Sequence, residues 1–250
     1  MRVRNLVVAA ALLVPLMAAC TAAGRPAATQ LPIGPCTATG PAFEPEPVVP
    51  SAGGPHRVLF LGDSMTADNP DLVADLPGVR AINAGISGSG LLTGFLDPAG
   101  RGTNYPEWVP GEIRATRAQV VVLEFSGAYL GGPLLGIYGT PQFFADWQAA
   151  AAQVNEEVLA AGATPLWVLT PPLGAAEQNW RSFDAGYQSL RTATVSWNLP
   201  LTAFGTGVWA SCLTENGVLK HVRVADQWHL TPEGNRRAAV WTDATVRSLP

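Results

Sequence analysis

Beyond residue 56 the chain alternates short apolar runs with longer stretches that are apolar on one side only. The runs at 57–61, 79–83, 119–125, 164–170 and 199–204 are too short for helices. They read as strands buried on both faces, as in a parallel sheet. Residues 141–161, 182–197 and 231–247 carry the helical repeat. The last of these starts cleanly: Thr231 can cap it, Pro232 suits its first turn, and Glu233 favours the positive end of its dipole. Five strands alternating with helices predict one three-layer α/β domain over 56–250 with a five-stranded parallel sheet, large enough for a full core.

Three connections, 86–107, 126–140 and 205–228, are long for a compact domain, and the first two are rich in glycine. Each should follow a strand, so all three should gather along one edge of the sheet. Trp108, Tyr129, Trp209 and Trp228 lie in or beside them. These rings either line a cleft there or serve as core and lid packing.

Residues 1–55 follow a different pattern. Arg2 and Arg4, an apolar run from Leu6 to Leu16 and then small residues read as an export signal over 1–19. The following Met17-Ala18-Ala19-Cys20 resembles a bacterial lipobox, which would make Cys20 a lipidated N-terminus; ordinary cleavage nearby would instead release a secreted protein. Residues 20–55, rich in Pro, Ala, Thr and Gly, read as a tether or a draped arm. No later segment is apolar for long enough to predict a membrane span.

Composition narrows the partners. The formal net charge is −4 and no basic stripe points to nucleic acid. There are three cysteines, Cys20, Cys36 and Cys212. If Cys20 carries lipid, Cys36 and Cys212 remain, either as a disulfide in an oxidising compartment or as two buried thiols.

Candidate chemistry begins where the first strand stops, at Gly62-Asp63-Ser64. Open α/β sheets place their sites just past the carboxyl ends of strands. Ser64 there is either a turn serine or a nucleophile, and a nucleophile needs a base. Of the three histidines, His56 precedes the first strand and belongs at the opposite end of the sheet, and His221 lies in the 205–228 loop. His229 sits just before the last helix, three residues after Asp226, a spacing that lets the carboxylate fix the imidazole tautomer. A metal reading needs further ligands, and neither H-E-x-x-H nor a Cys/His cluster occurs. A phosphate loop at Gly88-Ser89-Gly90 is not supported, since no P-loop signature and no predicted helix follow it.

Gly62-Asp63-Ser64 after the first strand, Asn83-Ala84-Gly85-Ile86-Ser87-Gly88 after the second and Asp226-x-x-His229 before the last helix together resemble the SGNH (GDSL-type) hydrolase family. The resemblance spans about 56–250. It implies a flavodoxin-like sheet and a Ser-Asp-His triad, with no metal or organic cofactor. Ser64 matches the nucleophile and its backbone N–H the first oxyanion donor. Gly88 matches the glycine whose N–H is the second, Asp226 and His229 match the rest of the triad, and Asp63 matches a position that buttresses the turn. No G-x-S-x-G elbow is present, which sets aside the larger α/β-hydrolase family.

The third block departs from the pattern. Where the family carries an asparagine that donates to the oxyanion, the stretch Phe125-Ser126-Gly127-Ala128-Tyr129 puts Ala128. One lost donor typically costs ~10²–10³ in rate. Tyr129, Ser126, Asn83 and Asn104 are candidates to replace it, and Glu124 is expected to support the active-site loops. Taken with the signal segment and the lipobox-like residues before Cys20, the resemblance leads to an expected exported esterase, monomeric and held to the envelope through Cys20. Its expected substrates are ester-bearing small molecules, lipids or glycans. The alternatives are an O-acyltransferase on the same site and a glycan-binding protein on a weakened hydrolase scaffold.

Overall fold

A computed structural model describes residues 32–36, 39–41, 56–73, 79–125, 134, 136–169, 183, 186–187, 189–196, 211–226 and 228–249 of the 250. Residues 1–19, Cys20 and Ala128 lie outside these residues.

The strands, in chain order, are β1 (Thr39–Pro41), β2 (His56–Gly62), β3 (Val79–Asn83), β4 (Phe95–Leu96), β5 (Gly102–Thr103), β6 (Val120–Glu124), β7 (Thr164–Leu169), β8 (Ala193–Ser196), β9 (Cys212–Glu215) and β10 (Val218–His221). The α-helices are α1 (Ser64–Ala67), α2 (Tyr105–Thr116), α3 (Pro141–Ala160) and α4 (Pro232–Ser248). The central sheet is five-stranded, in the order β3-β2-β6-β7-β8, and every pairing in it is parallel. Numbered within the sheet this is 2-1-3-4-5, the flavodoxin-like order, and the strand sequence reverses between β2 and β6.

Alternation along the strands builds the three layers. Leu59, Leu61, Val121, Leu123 and Trp167 face α2 and α3, which contribute Tyr105, Trp108, Val109, Phe143, Trp147 and Val154. Val58, Phe60, Val120, Val122, Leu166, Val168 and Val195 face the opposite way, against Met65 of α1 and Ala238, Ala239, Trp241 and Val246 of α4. All of β6 is buried, as a central strand covered on both faces should be. Among the described residues no helix is long and apolar enough to cross a membrane.

Three elements differ from the pattern-based expectation. The fifth strand is Ala193–Ser196, paired with β7 from Leu166↔Ala193 to Leu169↔Ser196, and lies inside the stretch read as a helix over 182–197. Helical residues there reach only Leu190, and Arg191 adopts a left-handed φ of 51°. Thr192, Thr194 and Val195 then favour the extended chain, being stiff at χ1. The run at 199–204 lies outside the described residues. Helix α2 went unread because Pro110 and Gly111 interrupt its pattern, although Asn104 accepts a hydrogen bond from the Glu107 N–H as its N-cap. The third long loop contains a hairpin: Asn216 and Gly217 turn β9 into β10 with φ of 50° and 75°, the two left-handed residues a tight hairpin requires.

The N-terminal arm is fastened to this end of the molecule. Ile33 bridges Val224 in antiparallel fashion, the Ala225 N–H donates to the Pro32 carbonyl at 2.7 Å, and a Cys36–Cys212 disulfide joins the arm to β9. Thr39–Pro41 then runs parallel beside β9.

Candidate active site

The site forms where β2 ends, at the reversal of strand order. Gly62 closes the strand so tightly that a Cβ there would collide with the Glu124 carbonyl oxygen and the Thr66 hydroxyl. Asp63 then leaves the sheet, its N–H donating to the Glu124 carbonyl at 3.2 Å. Its buried carboxylate accepts from the Met65 N–H at 2.9 Å, which caps α1. Ser64 is thus the first residue of a capped helical turn, with its hydroxyl at the carboxyl edge of the sheet. Beneath it Glu124, fully buried, accepts from the Thr66 hydroxyl at 3.1 Å.

The second block packs alongside. The Ile86 N–H donates to the Gly62 carbonyl at 2.9 Å. Asn83 donates its amide to the Thr66 and Asn69 carbonyls at 2.7 and 3.2 Å, and its side-chain oxygen accepts from the Gly85 N–H at 2.9 Å. Gly88 is the third residue of a turn closed by Ser89 N–H to the Ile86 carbonyl at 3.1 Å, and its φ of 78° is the left-handed value that position of a type II turn demands.

The third part comes from far along the chain. The Ser64 Oγ lies 2.8 Å from His229 Nε2, and His229 Nδ1 lies 2.6 Å from Asp226 Oδ2. The other Asp226 oxygen accepts the backbone N–H groups of Trp228 and His229 at 2.8 and 2.9 Å, so the carboxylate is oriented by its own loop. Partial burial pushes the Asp226 carboxyl up, and the hydrogen bonds from the His229 ring and from these two N–H groups outweigh it, leaving the group below the ordinary carboxylate value.

Beneath that loop lies Arg223, a cation that sequence reasoning missed. It is fully buried, its guanidinium donates to the Trp228 carbonyl at 2.5 Å, and its backbone bridges Leu230. Burial lowers its pKa to about 10, with the negative charge of Asp226 working against that fall. No signal in sequence separates it from a surface arginine, because its backbone partners, Gly34 and Ser211, lie far away in sequence or in another element.

The chain therefore brings together Ser64, Asp226 and His229, with the Gly88 turn hydrogen-bonded beside the Ser64 turn. His56 opens β2, at the end of the sheet away from Ser64. His221 faces elsewhere, with its Nδ1 3.1 Å from the Gly34 carbonyl and 3.5 Å from the Cys212 sulfur. Trp108 is core, stacked edge-on against Phe95 and Tyr105, and it also walls a groove of about 1160 Å³ that runs past Asn83, Ile86 and Ser87. Trp228 packs partly buried against the core on the α4 side. Tyr129 and Trp209 lie outside the described residues. Two of the candidates to replace the missing asparagine are occupied: Asn83 in tying the second block to α1, and Asn104 in capping α2. Ser126 and Tyr129 lie outside the described residues. Among the described residues no cluster of three or more His, Cys, Asp or Glu could hold a metal ion.

No family model matches the sequence. No curated protein matches it either. Solved structures do resemble it. A psychrotrophic esterase, EstA, from a Pseudoalteromonas species aligns at a TM-score of 0.52 and 13% identity, over 76% of this chain and 96% of that one. A GDSL-like lipase from Bacteroides thetaiotaomicron aligns at 0.51 and 14%, over 78% and 89%. A protein from Desulfitobacterium hafniense assigned to the G-D-S-L family of lipolytic proteins aligns at 0.52 and 10%, over 76% and 99%. At such identities the likeness is one of architecture, and it agrees with the strand order and with the three-layer packing: the chain has the SGNH (GDSL-type) hydrolase fold.

Proposed function

We propose that this chain is an exported serine esterase that cleaves ester-linked acyl groups from envelope glycans, glycolipids or small esters. The observation that carries the reading is the relay from Ser64 Oγ through His229 to Asp226, at 2.8 and 2.6 Å, on the carboxyl edge of the sheet. In this reading His229 Nε2 takes the Ser64 proton as Oγ bonds to the ester carbonyl carbon. The carbonyl electron pair moves onto oxygen, where the Ser64 and Gly88 N–H groups receive it. When the tetrahedral species collapses, the C–O bond to the alcohol breaks and His229 returns the proton to that alcohol. Water, deprotonated by the same nitrogen, then frees the acid and restores Ser64. Asp226 holds the imidazole with its proton on Nδ1.

Export is part of the same proposal. It is supported by the apolar segment after Arg2 and Arg4, by the lipobox-like residues before Cys20, and by a disulfide of a kind that persists in oxidising compartments. One mass-spectrometric experiment on the protein from its native host tests both parts. After treatment with an activated phosphonate, the adduct should sit on Ser64 and the mature chain should begin at a diacylglyceryl-modified Cys20. Label elsewhere would end the nucleophile assignment, and an unmodified Cys20 or a start further downstream would end the anchor.

Ala128 favours a second reading, a glycan-binding protein on a weakened hydrolase scaffold. Replacing it discriminates. Ala128→Asn should raise kcat by about 10²-fold if the missing donor limits the rate. An unchanged kcat in a folded variant would mean that another group already serves the oxyanion.

A further inference from the structure

Tyr105 has the geometry of a strut between two loops that the esterase reading treats separately. Its side chain is fully buried at the start of α2. Its hydroxyl donates to the Gly62 carbonyl at 2.8 Å. The Ser89 hydroxyl lies 2.7 Å from the same phenolic oxygen and 2.7 Å from the Ile86 carbonyl. The Gly62 carbonyl also receives the Ile86 N–H at 2.9 Å. Each hydroxyl has one proton: that of Tyr105 goes to the Gly62 carbonyl, and that of Ser89 serves either the phenolic oxygen or the Ile86 carbonyl, so the contacts form a chain from Gly62 through Tyr105 to Ser89. Gly62 is two residues before Ser64, and Ser89 directly follows Gly88. The two backbone N–H groups assigned to the oxyanion are thus carried by segments that meet at one phenol.

We propose that Tyr105 is a positioning residue that locks the Ser64 turn and the Gly88 turn at a fixed separation, so that both N–H groups reach one oxyanion. The inference rests on the esterase reading, since it concerns what that site needs. An oxyanion pocket gains its effect from donors already aimed before charge develops, and a displacement of about 1 Å can cost on the order of 10²-fold. Gly88 itself is exposed and a Cβ there would touch nothing, so the turn is held through its neighbours Ile86 and Ser89. The phenol itself has no freedom. Phe125 packs edge-on and Phe95 at a tilt against its ring, at centroid distances of 4.4 and 4.6 Å, and Trp108 closes a third side at 5.9 Å. Burial pushes the phenol pKa far up, the Ser89 hydrogen bond pulls it part of the way back, and the carboxylates of Asp63 and Glu124 add to the rise. The hydroxyl therefore stays a protonated donor wherever the rest of the site can work.

A buried tyrosine that merely satisfied its own hydroxyl would affect stability alone, so the test reads more than stability. The full chain, Tyr105→Phe, Ser89→Ala and the double variant are compared on a short-chain activated ester. Backbone hydrogen exchange is followed by mass spectrometry on the same proteins. Thr242→Val, which removes a buried hydroxyl bonded to the Ala238 carbonyl in α4, serves as the control for a lost internal hydrogen bond. The lock predicts that Tyr105→Phe lowers kcat by about 10- to 100-fold with KM within about twofold, because transition-state contacts alone are lost. The double variant should be no slower than Tyr105→Phe, since Ser89 reaches Gly62 only through the phenol. Exchange should quicken in peptides covering 84–90 and not in α3, and Thr242→Val should keep its kcat.

Ser64-dependent turnover in the parent with an undiminished kcat in Tyr105→Phe would overturn the lock and leave the esterase reading intact. Unchanged exchange over 84–90 would overturn it equally. A parent with neither ester turnover nor labelling of Ser64 would instead remove the esterase reading, and the positioning role with it.

Discussion

Alanine at position 64 is expected to reduce turnover of a short-chain activated ester by about 10³–10⁴-fold, with KM little changed. Removing the serine of a fully equipped triad costs about 10⁶. The parent here is expected to start lower, since Ala128 supplies no side-chain donor and that loss costs ~10²–10³. The parent therefore has less to lose, and the fall is expected to be smaller than about 10⁶. What survives in Ser64→Ala is substrate binding and two backbone donors, acting on a water that attacks directly. The measurement is steady-state hydrolysis by the parent and by Ser64→Ala, with folding checked by thermal unfolding. Equal rates above background in the two proteins would exclude Ser64 as the nucleophile. A difference near 10⁶ would show that the third donor is present after all, supplied by a group other than residue 128.

Asp226→Asn is expected to lower kcat by about 10³–10⁴-fold while leaving the fold in place, for a reason visible in the loop. One oxygen of Asp226 accepts two backbone N–H groups, from Trp228 and His229. In asparagine only the carbonyl oxygen can accept them, so the new amide nitrogen is forced towards His229. It presents a donor to Nδ1 where a carboxylate had presented an acceptor. The ring responds by moving its proton to Nε2, the nitrogen 2.8 Å from Ser64, and the base then has no lone pair to offer. Electrostatic loss adds less here than in a buried triad, because the His229 and Asp226 side chains remain 29% and 36% exposed. Steady-state kinetics beside a melting curve checks it. Full activity in a folded Asp226→Asn would take Asp226 out of the mechanism. Loss of activity together with loss of folding would recast it as a loop-building residue.

Most of the site could be read from the chain because its parts are local. Gly62-Asp63-Ser64 announces itself by ending an apolar strand, Asn83 to Gly88 by following the next one, and Asp226 and His229 by standing three residues apart before a capped helix. The first four strands of the central sheet lie within a residue or two of the expected runs, and β2, β6 and β7 among them are apolar throughout most of their length because both their faces are buried. What escaped was either weakly signalled or not local. Ala193–Ser196 is short, and no glycine or proline marks the end of the helix before it. Asn216-Gly217 is a strong hairpin signal, overlooked inside what was read as one long loop. Tyr105 touches Gly62 across 43 residues of sequence, and no periodicity carries that information. Arg223 is buried in a strand-like bridge whose backbone meets Gly34 of the arm and Ser211 beside β9, partners far along the chain.

The Cys36–Cys212 bond closes a large ring and leaves a tail on either side of it. Ser64 lies on the ring and His229 on the C-terminal tail, so the candidate site straddles the bridge. Along the open chain Ser64 and His229 are 165 residues apart. Through the sulfur bridge the shortest covalent path between them falls to about 45 residues, which lowers the entropy cost of their meeting by about 1 kcal/mol. In topological terms, oxidation makes neighbours of two residues that the linear sequence keeps at opposite ends of the domain.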